Sequence, residues 1–194
     1  MELSQLLLDM KSYATLNKVP IMLSDSAEVL VEMVKKHKPR RILEIGTAIG
    51  YSGILMLANS DAELFTIEID EKSVEVAKSN FTKAGFIGRV TQWTGDAAEI
   101  VRYLNGKFDF VLLDGPKGHY SEFLPYIKDI MLSGGVLFSD NVLFKGYTYM
   151  EKPMHKHRTI INSLKNFLYD IESDVNFSSE LLPYGDGISI SIKK

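Results

Sequence analysis

The chain of 194 residues contains no cysteine. Disulfides, thiolate metal sites and a cysteine nucleophile are therefore excluded. It also lacks any apolar run near the roughly 20 residues needed to span a bilayer. The first residues, MELSQLLLDMKSYATL, carry acidic Glu2 and Asp9 and no long apolar core, so they do not read as a signal peptide. A cytoplasmic protein without membrane partners is the expectation. The formal net charge is only -3, which gives no global attraction to a polyanion; any nucleic-acid contact must come from a local patch. No internal repeat, low-complexity tract or linker interrupts the chain. The expectation is one domain over residues 1–194, with residues 1–23 as an N-terminal helix or cap region. The 45% hydrophobic content is enough for a substantial core.

What is present is alternation. Apolar runs rich in β-formers, RILEIGT, ELFTIEID, VTQWTGD, FDFVLLDG and GGVLFSDN, alternate with segments of helical spacing. Ala27, Leu30, Val31 and Val34 share one helical face, as do Val74, Ala77, Phe81 and Ala84. Asp25 to Glu28 (DSAE) reads as a capping box. Ile160, Leu164, Phe167, Leu168 and Ile171 predict a further helix. NFSSELLPY and DGISISIKK then read as two strands joined by a tight turn at Gly185–Asp186–Gly187, hence antiparallel. Near-continuous apolar strands between helices predict a parallel sheet covered on both faces. Trp93 falls within a strand and reads as core. The longest aperiodic stretch is 142–157, just after a strand, where functional loops are expected.

In an open α/β sheet, ligands bind outside the carboxyl ends of the strands. The first strand presents Glu44 there, followed by GTAIGYSG. The second presents Glu68 and Asp70, the third Gly95 to Ala97, the fourth Asp114 and Lys117, and the fifth Asp140 and Asn141. Taken alone, Asp114–Gly115–Pro116 is an ordinary turn, as is Ser139–Asp140–Asn141. Five strand ends with such groups argue for a site. Gly46, Gly50 and Gly53 fit G-x-x-x-G-x-x-G, one residue off the dinucleotide fingerprint, and no Gly-Lys-Ser/Thr of a P-loop follows. Glu68 lies about 20 residues on, where a carboxylate can accept from both hydroxyls of a ribose. A nucleoside without a diphosphate fits this loop better than a dinucleotide does.

LEIGTAIGYS, TIEID, GDA, FDFVLLDGPKGHY and GGVLFSDNVLFKG resemble the metal-dependent O-methyltransferases that use S-adenosylmethionine, the group containing catechol and caffeoyl-CoA O-methyltransferases. The resemblance runs over residues 18–194. VPIM, GTAIGYS and DNVLFKG are most similar to its bacterial branch, which methylates 5-hydroxyuridine in tRNA. The fold implied is class I methyltransferase: a Rossmann-like α/β sheet of seven strands, mostly parallel, with an antiparallel last strand and helices on both faces. The resemblance implies a divalent cation, usually Mg²⁺, on Asp114, Asp140 and Asn141, an all-oxygen set that suits it. It implies Lys117 as catalytic base. For S-adenosylmethionine it implies Met22, Glu44, Gly46, Ser52, Glu68, Asp96, Ala97 and Asp114. Of these, Glu68 would take the ribose hydroxyls, Asp96 and the Ala97 backbone would face the adenine, and Ser52 and the Gly46 backbone would hold the methionine end. A homodimer is implied as well.

Two positions depart from the catechol pattern. Pro116 stands where those members have an aromatic residue before the lysine, and Pro183 where they have an acidic residue ahead of Asp186–Gly187. Both changes point away from a bound catechol. His155, Lys156, His157 and Arg158 form a basic cluster at a predicted helix start, unfavourable against the helix dipole unless an anion docks there; Lys145 would extend it. A solvated turn is the bland reading of the same cluster. Tyr147 and Tyr149 can stack on bases or pack the loop. The expected substrate is 5-hydroxyuridine at the tRNA wobble position, with the anticodon region as partner. The alternatives are a small phenolic or catechol acceptor, a non-catalytic nucleoside- or RNA-binding module, and a dehydrogenase, which the glycine spacing disfavours.

Overall fold

The computed structural model describes residues 2–150 and 155–194. Its strands are Arg41–Ile45 (β1), Glu63–Glu68 (β2), Val90–Thr94 (β3), Phe108–Leu113 (β4), Met131–Ser139 (β5), Phe177–Leu182 (β6) and Ile188–Lys193 (β7). They form a seven-stranded sheet in the order β3-β2-β1-β4-β5-β7-β6. The pairs β1/β2, β2/β3 and β4/β5 are parallel. β7 is antiparallel to both β5 and β6. The expected sheet, with its antiparallel last strand, is therefore present. The chain forms two compact units that divide after Ala97.

The first unit carries the helices Leu3–Asn17 (α1), Ser24–His37 (α2), Tyr51–Ala58 (α3) and Glu71–Lys83 (α4). Ile42, Leu43, Ile45, Leu64 and Ile67 from β1 and β2 are fully buried. α2 buries Ala27, Leu30 and Val34 and packs on α3, and α4 buries Ala77 and Phe81 and packs on β2 and β3. The α3 sequence YSGILMLA is apolar nearly all round, and α3 is accordingly buried on most sides. Its Gly53 is a packing residue. A Cβ there would meet Leu64 Cδ2 at 2.8 Å and the Phe81 ring at 2.9 Å.

Two expectations are corrected here. No capping box forms at Asp25: α2 begins at Ser24, its N-cap is Leu23, and no side chain caps it. Asp25 lies inside the first turn instead, where a carboxylate still meets the helix dipole favourably. Trp93 is half-buried, because β3 is the last strand at its edge of the sheet. It packs on Phe65 with ring centroids 5.7 Å apart. Asp70, one of the carboxylates at strand ends, caps α4 by accepting from the Lys72 N–H.

The short helix Ala97–Ile100 (α5) leads into the second unit, which carries Tyr120–Ile130 (α6) and Arg158–Ser173 (α7). The core face of α7 is Ile161, Leu164, Phe167 and Ile171. Phe167 meets Tyr120 edge-on at 5.6 Å, and burial of a ring that size contributes about 1.5–3 kcal/mol. Ser121 Oγ donates to the Ser163 carbonyl at 2.7 Å, tying α6 to α7. β5 begins at Met131, ahead of the expected Gly134. Its pairing with β4 shifts register between Phe108 and Phe110. At Gly135 a Cβ would meet the Leu132 carbonyl at 2.8 Å, so only glycine passes that irregular stretch. Among the described residues no helix is long and apolar enough to cross a membrane.

Candidate active site

In the first unit the site elements gather around the loop from β1 to α3. Gly46, Ala48 and Gly50 have φ of 102°, 44° and 85°. Such alternating left-handed geometry turns the chain sharply and is costly for the one residue, Ala48, that has a Cβ. Glu68 compensates. Its Oε2 accepts from the Ala48 N–H at 2.8 Å, and its Oε1 accepts from Ile69 and Asp70 N–H at 2.9 and 3.0 Å. Three of the roughly four lone-pair sites of the carboxylate are thus filled, and the group is fixed at the end of β2 with acceptor capacity left. One acceptor position remains for a ligand hydroxyl.

Glu44 is not at the strand end. It is the fourth residue of β1 and fully buried. Ser52 Oγ donates to its Oε1 at 2.5 Å, and Thr66 Oγ1 to its Oε2 at 2.6 Å. A hydroxyl contact between Thr47 and Thr66 extends the network into the glycine loop. Glu44 and Ser52 therefore hold each other, anchoring the start of α3 to the sheet. The Gly46 N–H donates to the Ile67 carbonyl at 3.0 Å, so this amide is committed to the sheet end. Asn80, buried on α4, donates to the Ile49 carbonyl at 2.9 Å and fixes the far side of the loop. Met22 is buried next to α2; with Lys11, Thr15, Val19 and Ile21 it lines an open groove of about 400 Å³. Asp96 is exposed just ahead of α5, and Ala97 is buried as its first residue.

In the second unit β4 ends at Leu113 and β5 at Ser139, so Asp114 and Asp140 follow directly on neighbouring parallel strands. The Asp140 N–H donates to the Leu113 carbonyl at 3.0 Å, and Asp140 Oδ1 accepts from the Asn141 N–H at 2.8 Å. Lys117 Nζ lies 3.3 Å from Asp114 Oδ1 and 3.4 Å from the Gly115 carbonyl, both long for hydrogen bonds. Burial raises the Asp114 pKa to about 6; Lys117 opposes that rise and nearby Asp140 adds to it. Two carboxylates that repel each other in a desolvated place are chemistry that a hard divalent cation relieves. Asp114, Asp140 and Asn141 offer oxygen donors only, and they fit such an ion. Among the described residues no group of three or more His, Asp or Glu is placed to hold a metal, so the fit depends on the Asn141 amide.

Sequence reasoning missed Tyr120. It is fully buried, and its hydroxyl shares one proton between the Leu113 carbonyl at 2.9 Å and the Asp140 carbonyl at 3.1 Å. Burial first, then Asp114 and Asp140, push its phenol well above the ordinary value, so it stays a donor. It ends the stretch FDFVLLDGPKGHY, but no role was assigned to it there.

The basic cluster is where it was expected. His155–His157 form a short 3₁₀ turn, and α7 starts at Arg158 with no acidic residue in its first turn. His157 is stacked on Tyr147 at 6.1 Å and edge-on to Phe144 at 5.4 Å. Tyr147 thus packs the loop, whereas Tyr149 is 70% exposed. Lys145 is exposed on the same loop, while Glu151 to Met154 lie outside the described residues.

A family model for O-methyltransferase matches residues 2–194. Caffeoyl-CoA O-methyltransferase 1 of Nicotiana tabacum is 23% identical over 179 residues, covering 86% of this chain and 74% of that one. Catechol O-methyltransferase of Niastella koreensis is 34% identical over 113 residues, covering 55% of this chain and 51% of that one. Among solved structures, a candidate caffeoyl-CoA O-methyltransferase of Staphylococcus aureus matches with a TM-score of 0.89 at 26% identity, over 97% of this chain and 92% of that one. A Bacillus cereus O-methyltransferase in complex with S-adenosylhomocysteine shares the fold, with a TM-score of 0.86 at 23% identity over 98% and 91% of the two chains. The chain belongs to the O-methyltransferase family, as an enzyme that takes its methyl group from S-adenosylmethionine.

Proposed function

We propose that this enzyme is Mg²⁺-dependent and methylates an acidic hydroxyl that has a second oxygen beside it. The acceptor we propose is 5-hydroxyuridine at the tRNA wobble position, giving 5-methoxyuridine. The observation that carries the chemistry is Asp114 beside Lys117, with Asp140 at the matching end of the neighbouring parallel strand. Asp114, Asp140 and Asn141 would hold the cation, which when bound acidifies a hydroxyl on it. S-adenosylmethionine supplies a methyl carbon already activated by its sulfonium. Glu68 would accept from the ribose hydroxyls, with Asp96 and Ala97 toward the adenine. Lys117 Nζ, held 3.3 Å from Asp114 Oδ1, would take the acceptor's proton as general base. The oxygen attacks the methyl carbon, the carbon–sulfur bond breaks, and S-adenosylhomocysteine leaves. Alignment supplies much of the remaining acceleration.

The acceptor reading is supported by exposed His155, Lys156 and Arg158 with exposed Tyr149, a combination suited to phosphate and base. Pro116 and Pro183 count against a plain catechol. The relatives' names point to caffeoyl-CoA or catechol as the competing acceptors. Purified protein with Mg²⁺ and labelled cofactor should be offered tRNA bearing 5-hydroxyuridine, caffeoyl-CoA and catechol in parallel. A 5-methoxyuridine product abolished by EDTA supports the proposal. Methylated caffeoyl-CoA or catechol with untouched tRNA overturns the acceptor, and full activity in EDTA overturns the metal. We carry the implied homodimer into the proposal, and sedimentation velocity reads it directly.

A further inference from the structure

The segment after Asp140 has unusual backbone. Asn141, Phe144 and Lys145 have φ of 56°, 44° and 57°, and Gly146 follows at 75°. Three residues with side chains in left-handed geometry within five positions cost on the order of 1–2 kcal/mol each, and such geometry persists only where neighbours impose it. The neighbour here is the turn between β6 and β7. The Asp186 carbonyl accepts from the Leu143 N–H at 2.9 Å and the Gly187 carbonyl from the Val142 N–H at 3.0 Å. The Asp186 carboxylate accepts from the Lys145 N–H through Oδ1. The Gly187 N–H turns back onto the Tyr184 carbonyl at 2.9 Å. Leu143 fills the space over Gly187, where an added Cβ would lie 2.2 Å from Leu143 Cγ. Three amides of the loop are thus gripped by two residues from the far end of the chain.

We propose that the Tyr184–Gly187 turn is a clasp that sets the Asp140–Asn141 pair, with Asp186 as a positioning residue for the metal ligands. This rests on the metal reading given above. Asp186 acts through the amides of the strained loop, holding Asn141 in the left-handed conformation from which its side chain joins Asp140.

Mn²⁺ binding, read by electron paramagnetic resonance of the free ion, tests this without turnover. Wild type, Asp114→Ala, Asp186→Ala and Asp186→Asn would be compared, with S-adenosylhomocysteine affinity measured on each. Asp186→Ala should weaken Mn²⁺ by about tenfold or more, the usual effect of losing a group that orients ligands, with S-adenosylhomocysteine affinity unchanged. Asp186→Asn, which keeps the acceptor oxygen, should bind Mn²⁺ close to wild type. Should Asp186→Ala not fold, Asp186→Ser takes its place with the same expectation. Wild-type Mn²⁺ affinity in Asp186→Ala or Asp186→Ser overturns the clasp and leaves the metal reading intact. Failure of wild type to bind Mn²⁺, or undiminished binding by Asp114→Ala, overturns the metal reading and the clasp with it.

Discussion

Removing one hydroxyl at a time from around Glu44 separates anchoring from ligand binding. Thr66→Val keeps shape and deletes the donor at 2.6 Å from Oε2; Ser52→Ala deletes the donor at 2.5 Å from Oε1. Both acceptors belong to a carboxylate with no solvent exposure, so water does not replace the lost bond. A hydrogen bond to a charged group contributes about 1.5–3 kcal/mol, and each variant should lose about 2 kcal/mol. For a chain of this size that is a fall in Tm of roughly 4–8 °C. The double variant should lose less than the sum, because the two donors share one carboxylate. Urea unfolding gives the stabilities, and calorimetry gives S-adenosylhomocysteine affinity. If Ser52 also touches the cofactor, Ser52→Ala weakens binding well beyond Thr66→Val. Losses below about 0.5 kcal/mol in both variants would refute the idea that Glu44 anchors the start of α3 through these two hydroxyls.

Lys117→Ala should cut single-turnover methyl transfer by about 10²–10⁴-fold, the usual contribution of a positioned base, and leave cofactor affinity unchanged; an undiminished rate removes Lys117 from catalysis. Asp174, paired with Lys128, has its pKa lowered to about 2, chiefly by the Lys128 hydrogen bond. Because the folded pKa is the depressed one, the pair's stabilisation is complete above about pH 4 and lost as the pH falls through about 2. With the Lys128 side chain one-third exposed, solvent screening leaves about 1 kcal/mol, and Asp174→Asn should remove that part of the acid dependence in pH-dependent urea titrations. Gly53→Ala should cost about 1–3 kcal/mol by overpacking against Leu64 and Phe81, seen as a lower urea midpoint with an unchanged slope.

Periodicity made the sheet legible because a buried parallel strand is a nearly continuous apolar run, and β1, β2, β4 and β5 come close to that, VLL of β4 and VLF of β5 most clearly. Asp114, Lys117, Asp140 and Asn141 were legible for a related reason: polar groups that end such runs stand out. What stayed hidden depends on contacts between distant residues. Glu44 looked like an edge carboxylate because its partners Ser52 and Thr66 lie 8 and 22 positions away. Tyr120 drew no reading of its own, since nothing in HYSEF shows that its hydroxyl ends between two strand carbonyls. The grip of Asp186 on Lys145 spans 41 positions. Trp93 was misplaced because strand order, which makes β3 an edge, is not written in the strand itself.

The placement of β7 has a consequence in time. It follows β6 in the chain, yet it lies between β5 and β6, and the turn leading into it supplies the acceptors for the Asp140 loop. β1, β2 and β3 have all left the ribosome long before, and their mutual pairing needs nothing from later residues. During synthesis these first strands can therefore pair while the half that carries Asp140 still waits for β7. A chain interrupted before β7 would lack the acceptors that grip the loop beside Asp140.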